Sequence, residues 1–324
     1  MLYRIAALLF LSVMLYAPYA FAEGQRGDFQ TWLNLLRREA LDKGISEKTV
    51  KAALHDGLKP LPRVLELDKK QPENTITFLQ YKKNTLSNLR VQTGRVMMRR
   101  HAAALGKASR DYDVPAAVIA ALWGMETSYG NYTGGFNVVE SLATLAYDGR
   151  RGAFFRGELL QALKILDEGH IAPKAMKGSW AGAMGQSQFM PSSFNHFAVD
   201  GDGDGRRDIW NTHQDVFSSA ANYLKQHGWR AGERWGRRVT LLPQFPDERI
   251  GLDKELTLAE WQALGVRRED GRDLPQVAGM KGSVIKLADK DVYLVYNNYK
   301  VIMLWNKSTY FATAVGLLSD KLSY

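Results

Sequence analysis

The sequence contains no cysteine. A disulfide framework, a thiolate zinc site, an iron–sulfur cluster and a cysteine nucleophile are therefore all excluded, and so is a lipid anchor on an N-terminal cysteine. The fold must be held together by burial of apolar side chains and by non-covalent contacts.

The chain also lacks the composition of a disordered protein and any excess of acidic residues. Of its 324 residues, 45% are hydrophobic and 11% are aromatic. This is enough for a full core and, at this length, for about two domains. Lysine and arginine number 43 against 34 for aspartate and glutamate, a net charge of +9. Such a balance suits nucleic acid, an anionic membrane surface or an acidic polymer, and charge alone does not choose among them.

Residues 1–22 have the pattern of a secretory signal peptide. Arg4 is the positive segment, residues 5–16 form a short apolar run, and Ala20-Phe21-Ala22 supplies the small-x-small cleavage pattern. A transmembrane anchor is the alternative, but the run falls short of the roughly 18–20 apolar residues that span a bilayer, and Pro18 follows it. We therefore expect cleavage after Ala22, a net charge of +8 on the mature chain, and export to a compartment without nucleic acid.

Apolar residues at helical spacing predict a mainly helical chain up to about residue 235. The predicted helices cover residues 29–40, a segment capped by Ser46, about 74–100, a segment capped by Asp113 with Pro115 in its first turn, 138–166 and 216–227. From Gly236 onward the pattern changes. A helical piece near residues 258–264 and β-rich residues 292–296 and 299–304, around Asn297-Asn298, predict a small α+β insertion with a hairpin, followed by a last helix over 308–319.

Glu126 is the strongest single candidate for chemistry. It follows Ile119, Leu122 and Trp123 at helical spacing, so a carboxylate continues an otherwise apolar stripe near the end of a helix. The apolar neighbours and the negative end of the helix dipole both disfavour ionisation and raise the pKa of this carboxyl, as a general acid at neutral pH requires. The alternative is a frayed glutamate in solvent at the helix end.

The segment 178–193 is rich in small residues. Glycine lets backbone approach a ligand closely, and Ser179 and Gln188 offer neutral hydrogen bonds of the kind that recognise sugar hydroxyl and acetamido groups. The alternative is a glycine-rich loop that only packs. Ser187 resembles half of a nucleophile elbow, but the second glycine and a preceding strand are missing, which argues against a serine hydrolase.

The run from Asp200 to Asn211 matches the first half of an EF-hand calcium loop. Asp200, Asp202 and Asp204 hold positions 1, 3 and 5, and glycine at position 6 allows the sharp turn. Arg206 is counted with these residues in the candidate site, and Asp215 could close the shell in place of the missing glutamate at position 12. This predicts a structural calcium site, with an Asx-rich turn or a site emptied by the arginines as the alternatives.

Several spaced motifs together resemble the membrane-bound lytic murein transglycosylase B family. The motifs are Trp123-Gly124-x-Glu126-Thr127-x-x-Gly130, Leu142-Ala143-Thr144-Leu145-Ala146-Tyr147-Asp148-x-Arg150-Arg151, Gly182-Ala183-Met184-Gly185-x-x-Gln188-Phe189-Met190-Pro191-Ser192, Ala221-Asn222-Tyr223-Leu224, Asp68-x-x-Gln71-Pro72-Glu73 and Val301-Ile302-Met303-x-Trp305-Asn306-x-Ser308. They cover nearly the whole chain after the signal.

The resemblance implies a mainly α (α+β) protein with a lysozyme-like helical core, a flanking helical domain and a small β-containing domain. The expected division is a helical domain over 23–100, a catalytic core over 101–235, the α+β insertion over 236–304 and a C-terminal helix over 305–324. The implied activity is cleavage of the MurNAc–GlcNAc β-1,4 bond of peptidoglycan without water, which leaves a 1,6-anhydro end. No cofactor is needed for this chemistry.

The resemblance also assigns roles to residues. Glu126 would protonate the leaving oxygen, the substrate's acetamido group would stabilise the anomeric carbon, and Glu126 would then accept the proton of the C6 hydroxyl. Ser179 would orient the acetamido group. The expected cleft residues are Gln188, Tyr223, Asn306 and Tyr81. Arg150 and Arg151 would meet peptide carboxylates or acidic neighbours that position them.

Two departures from the family pattern matter. The chain has no lipobox cysteine, so we expect a protein of the periplasm without a lipid anchor, acting as a monomer, with cell-wall synthesis or division proteins as candidate partners. Trp305 stands where a tyrosine is common. A muramidase that uses water and a non-catalytic glycan-binding protein remain the alternative functions.

Overall fold

The computed structural model describes residues 27–70, 76–288 and 290–323. Within them the protein is mainly helical with small antiparallel sheets, which confirms the predicted fold class. The helices are α1 (Phe29–Asp42), α2 (Glu47–Ala53), α3 (Pro62–Lys69), α4 (Phe78–Thr85), α5 (Asn88–Arg100), α6 (Ala102–Tyr112), α7 (Ala116–Thr127), α8 (Val138–Asp148), α9 (Gly152–Asp167), α10 (Pro191–Phe197), α11 (His213–Gln226), α12 (Leu258–Ala263), α13 (Asn297–Trp305) and α14 (Thr309–Leu322). The strands are β1 (Phe136–Asn137), β2 (Lys177–Gly178), β3 (Gly236–Leu241), β4 (Leu256–Thr257), β5 (Val266–Arg268), β6 (Lys281–Ala288) and β7 (Asp291–Val295). The predicted signal peptide lies outside the described residues, as do residues 71–73 of one motif.

Polar caps set the starts of the first helices. Ser46 accepts a hydrogen bond from the backbone N–H of Thr49 and begins α2, as predicted. The predicted helix over 74–100 is two helices, because Ser87 caps a new start by accepting from the N–H of Arg90. Pro62 occupies the first turn of α3, where its missing N–H costs nothing.

The predicted cap at Asp113 is wrong. Asp113 has a φ of 57° and ends α6 in the left-handed conformation, so its side chain cannot cap the following helix. Pro115 precedes the first residue of α7, and no side chain caps that helix. The Asp113 carboxylate instead accepts a hydrogen bond from Nζ of Lys225 at 2.7 Å.

Helix α7 lies in the middle of the main core. All residues from Ala117 to Gly124 are buried, because this helix is apolar on every side and not only along the predicted stripe. Helices α8, α9, α11 and α14 also contribute buried apolar residues to this core. The end of α7, which carries Glu126, is thereby held in a fixed position.

The larger sheet has the strand order β4-β6-β7-β3-β5, with antiparallel pairing throughout. The predicted hairpin around Asn297-Asn298 is wrong: the hairpin is β6–β7, and α13 begins at Asn297. The two asparagines bind distant backbone and do not form a turn. The amide nitrogen of Asn297 donates to the carbonyl oxygen of Gly228, and that of Asn298 donates to those of Arg230 and Glu233.

The sheet has its own small hydrophobic cluster, in which Tyr296 is the last residue along the chain. Tyr299, Val301 and Ile302 of α13 pack in the main core instead. We therefore propose that the α+β insertion ends near residue 296 and not at residue 304. In the part of the chain that the structure describes, every helix falls short of the length and apolar character required to cross a membrane.

Candidate active site

Glu126 lies in the last turn of α7, directly before the helix ends. The chain leaves the helix through Ser128 and Tyr129, with φ values of 50° and 61°. Gly130 then turns the chain at a φ of 83°, and a Cβ there would lie 2.5 Å from Oε1 of Gln186. This tight turn fixes the end of the helix, and the side chain of Glu126 is half-buried rather than frayed in solvent.

Trp305, at the end of α13, is the hydrogen-bond partner of Glu126. Its indole Nε1 donates to Oε1 of Glu126 at 2.7 Å. Burial raises the pKa of the Glu126 carboxyl to about 7, and the hydrogen bond from Trp305 opposes that rise because it favours the charged form. A carboxyl with this pKa is populated in both protonation states near neutral pH, which suits a group that gives and then takes a proton.

Aromatic rings hold Trp305 in place. The ring centroids of Phe189 and Tyr223 lie 5.2 Å and 4.8 Å from that of Trp305. The hydroxyl of Tyr223 donates to the carbonyl oxygen of Leu304 at 2.8 Å, and the side chain is buried. Of the predicted cleft residues, Tyr223 thus supports Trp305 from beneath.

Tyr81 lies on α4 beside this group. Burial, and then the charge of Glu126, raise the pKa of its hydroxyl, so the two side chains are within electrostatic reach of each other. Its ring is 5.7 Å from that of Tyr310. Asn306 follows Trp305 in the chain and is exposed, with its side-chain oxygen accepting from the N–H of Ser308. Tyr81 therefore lies near Glu126, and Asn306 is adjacent to Trp305 in the chain.

The glycines of the 178–193 segment pack against the protein itself. A Cβ at Gly178 would lie 2.1 Å from the carbonyl oxygen of Ala183, and one at Gly185 would lie 2.6 Å from that of Ile209. At these two glycines the close approach is between two segments of the chain, and not between the backbone and a ligand as expected. Within the segment, Ser179 Oγ accepts from the N–H of Ala183, and the amide of Gln188 donates to the carbonyl oxygen of Gly185. The same amide also donates to the carbonyl oxygen of Thr133, outside the segment.

Gln186, which the sequence reasoning did not single out, joins this segment to α7. Its Oε1 accepts from the indole of Trp123 at 2.8 Å, and its Nε2 donates to the carbonyl oxygen of Trp210 at 2.9 Å. The hydroxyl of Thr127 donates to the backbone carbonyl oxygen of Gln186. The side chain of Gln186 is buried, so these bonds fix the loop relative to the last turn of α7. The sequence signal that could have identified Gln186 was its position as a polar residue inside the 182–192 motif.

Arg150 and Arg151 are not brought to Glu126 by any contact within the described residues. Both bind Asp68 at the end of α3: Nε of Arg150 and Nη2 of Arg151 donate to its two carboxylate oxygens at 2.9 and 3.0 Å. Asp68 is buried. Two kinds of partner were expected for these arginines, peptide carboxylates or acidic neighbours. The structure shows an acidic neighbour.

The Asp/Gly loop brings three of its predicted ligands together. One oxygen each from Asp200, Asp202 and Asp204 lies within 4.8 Å of the others, and all three side chains are exposed. Asp215 has a different role: it is buried, and its two carboxylate oxygens accept from the N–H groups of Gly201 and Asp208. The donor set of hard oxygens fits calcium, whereas Asp215 closes the loop by hydrogen bonds.

No second carboxylate among the described residues lies close enough to Glu126 to shift its pKa. Among the described residues, the groups that shift its pKa are the apolar surroundings and Trp305, and no aspartate or glutamate contributes. Ser187 is buried, with its hydroxyl 3.4 Å from the carbonyl oxygen of Val216, which agrees with the exclusion of a serine nucleophile. The site therefore offers one titratable carboxyl, which accepts a hydrogen bond from an indole N–H.

Comparison with known proteins places this chain in a family. The model for the transglycosylase SLT domain matches residues 28–320. Membrane-bound lytic murein transglycosylase B of Escherichia coli is 32% identical over 250 residues, which is 76% of this chain and 67% of that protein.

Solved structures agree. SltB3 from Pseudomonas aeruginosa, in complex with NAG-anhNAM-pentapeptide, superposes with a TM-score of 0.89 at 43% identity and covers 92% of this chain and 80% of that one. The Escherichia coli lytic transglycosylase Slt35, in complex with calcium, has a TM-score of 0.78 at 29% identity and covers 92% and 95%.

Proposed function

The chain belongs to the family of SLT-domain transglycosylases and is a lytic transglycosylase, and from this premise we propose that Glu126 is its single acid and base. The proposed substrate bond is the β-1,4 link between MurNAc and GlcNAc in peptidoglycan. The observation that carries the proposal is a half-buried carboxyl with a pKa of about 7 and no neighbouring acid among the described residues.

In the first step the protonated Glu126 acts as the general acid. Its proton passes to the glycosidic oxygen, the bond between that oxygen and the anomeric carbon breaks, and the electron pair stays on the leaving GlcNAc oxygen. The acetamido oxygen of MurNAc stabilises the positive anomeric carbon. Because burial keeps much of Glu126 protonated near neutral pH, the acid form needed for this step is available.

In the second step the same residue acts as the base. The C6 hydroxyl oxygen of MurNAc forms a bond to its own anomeric carbon, and its proton passes to the Glu126 carboxylate. This gives the 1,6-anhydro ring, returns the enzyme to its starting protonation state and consumes no water. The indole N–H of Trp305 stabilises the carboxylate between the two steps.

A single carboxylate favours this route over hydrolysis by an ordinary glycosidase. Such enzymes use two acids that flank the bond, one of them to activate water or attack the sugar. We propose that Tyr81 and Asn306 border the bound glycan beside Glu126, that Gln188 and Ser179 contact it from the 178–193 segment, and that Tyr223 acts by positioning Trp305.

Glu126→Gln tests the proposal directly. The amide keeps the shape of the side chain and cannot exchange the proton, so we expect loss of cleavage of purified sacculi with the fold and sacculus binding retained. Glu248→Gln, at an exposed glutamate of the small insertion, is the matched control and should cleave normally. Retained cleavage by Glu126→Gln would refute the assignment and favour another residue as the acid and base.

We further propose that Asp200, Asp202 and Asp204 hold a structural calcium ion, with the backbone carbonyl of Arg206 as a further ligand. The convergence of three carboxylates supports this. Calcium would stabilise the native state by mass action, so the melting temperature should rise on addition of calcium and fall with EGTA. Asp202→Ala should abolish this response. No response in the unmodified protein would argue against the site.

We propose that the protein works in the periplasm as a monomer without a lipid anchor, on peptidoglycan strands and beside cell-wall synthesis or division proteins. The absence of any cysteine supports the lack of an anchor. Fractionation of cells into periplasm and membrane tests the location, and recovery in the membrane fraction would contradict it.

A further inference from the structure

A second cleft lies on the opposite face of α4 from Tyr81. Its volume is about 930 Å³, and it is formed by α4, the last turn of α14 and strands β3 and β5. Leu79, Lys82, Lys83 and Leu86 line it at helical spacing, whereas Tyr81 turns toward Tyr310 and Glu126. Glu126 and Trp305 are not among its lining residues.

The cleft is strongly basic. Seven lysine and arginine side chains line it against three aspartate and glutamate side chains. Two of the cations share one buried carboxylate: Nζ of Lys82 and Nη2 of Arg238 lie 2.7 and 3.4 Å from Asp291. These contacts join α4 to the sheet.

Of the other five cations, two pair with acidic residues of the lining, and three have no acidic partner among the described residues. The exposed ammonium groups of Lys83 and Lys321 have no carboxylate partner among the described residues. Nε of Arg237 donates to the hydroxyl of Tyr296 at 2.6 Å, and this arginine has no acidic partner among the residues that the structure describes. Positive charge without counter-charge in a concave surface raises the local concentration of anions.

The cleft also has an apolar lining. Leu79 is 55% exposed, which is unusual for a leucine on a helix of the core, and Leu86 and Leu317 lie near it. A ligand that fits would carry separated negative charges and small apolar groups between them. A polyphosphate or nucleic acid would leave the leucines uncovered.

We propose that this cleft binds an acidic peptide, namely the carboxylate-bearing stem peptides of peptidoglycan on a strand that the enzyme is not cutting. The identity of the peptide rests on the proposed function, whereas the preference for an acidic peptide rests on the cleft itself. The cleft would keep the enzyme attached to the mesh while the catalytic site releases one product and engages the next bond.

Co-sedimentation with sacculi tests this in the Glu126→Gln background, which removes cleavage from the measurement. The test variant is Lys83→Glu/Lys321→Glu, and the matched control is Lys48→Glu/Lys59→Glu. The control reverses the charge of two exposed lysines that do not line the cleft and that also lack an ion pair among the described residues. We expect the test variant to bind intact sacculi about tenfold more weakly, and the control to bind normally.

Two further substrates identify the ligand. On sacculi whose stem peptides have been removed by an amidase, the difference between the variants should vanish. An equal loss in test and control variants, a difference that persists on the stripped sacculi, or cleft-dependent binding to vesicles of anionic phospholipid would each overturn the proposal. Cleavage of short peptide-free glycans with Glu126 in place should be unchanged by the test variant, and a loss there would also overturn it.

A direct titration covers the case in which the double variant does not fold. Free stem tetrapeptide added to the Glu126→Gln protein should shift the backbone amide resonances of α4 and the end of α14, with weaker binding as salt is raised. Shifts confined to the surroundings of Trp305 would overturn the proposal. Because these readouts do not depend on turnover, they remain informative even if Glu126 is not the catalytic residue.

Discussion

The indole of Trp305 donates a hydrogen bond to the carboxylate of Glu126 at 2.7 Å, across 179 residues of sequence. The bond joins the end of α13 to the end of α7, so the pKa of the proposed acid depends on a segment that follows the small sheet. Burial raises this pKa to about 7 and the indole opposes the rise. Both effects give measurable consequences.

The activity should fall as the pH rises through about 7, because the first step needs the protonated form of Glu126. Trp305→Phe removes a donor that favours the charged form, so the pKa should rise by about one unit and the alkaline limb of kcat/KM should move to higher pH. Tyr310→Phe keeps Trp305 and serves as the control. An alkaline limb that stays in place in Trp305→Phe would contradict the role of this hydrogen bond.

Ionisation of Glu126 should also lower the free energy of unfolding at alkaline pH. Its pKa is near 7 in the folded protein against 4.5 for the free side chain, so the folded state holds the proton more tightly than the unfolded state. The resulting stabilisation is complete below pH 4.5 and is lost as the pH rises through about 7.

Glu126→Gln has no such dependence, so its melting temperature relative to the unmodified protein should increase by a few degrees between about pH 5 and pH 8. A constant difference across that range would show that the carboxyl is not shifted in the folded state.

Gln186 should matter for the loop and the helix together. Gln186→Ala would leave the buried indole N–H of Trp123 and the carbonyl oxygen of Trp210 without partners, at a cost of about 2–4 kcal/mol in the free energy of unfolding. Gln188→Ala, whose half-buried side chain donates to the carbonyl oxygens of Gly185 and Thr133, should cost less than half as much. Chemical denaturation measures both, and equal losses would contradict the assignment.

Local sequence signals predicted much of this site and missed its long-range part. The position of Glu126 on α7 followed from helical spacing, since that pattern depends on neighbours within a few residues. Trp305 was noted only as an aromatic residue and a departure from the family pattern, because nothing local indicates that α13 ends beside α7.

The errors have the same origin. Asn297 and Asn298 suggested a turn by composition, but their amides bind backbone near residues 228–233 and begin a helix. Asp113 has the composition of a cap, yet the short link between α6 and α7 places it in the left-handed conformation. In each case a tertiary contact or a neighbouring helix overrode a local preference.

Analysis of the products of sacculus digestion by mass spectrometry, in water enriched in heavy oxygen, tests the central claim most directly. If Glu126 acts in turn as acid and base without water, the released muropeptides carry 1,6-anhydro ends and no heavy oxygen, and Glu126→Gln releases none of them. Reducing ends that contain heavy oxygen, with no anhydro products, would contradict the account.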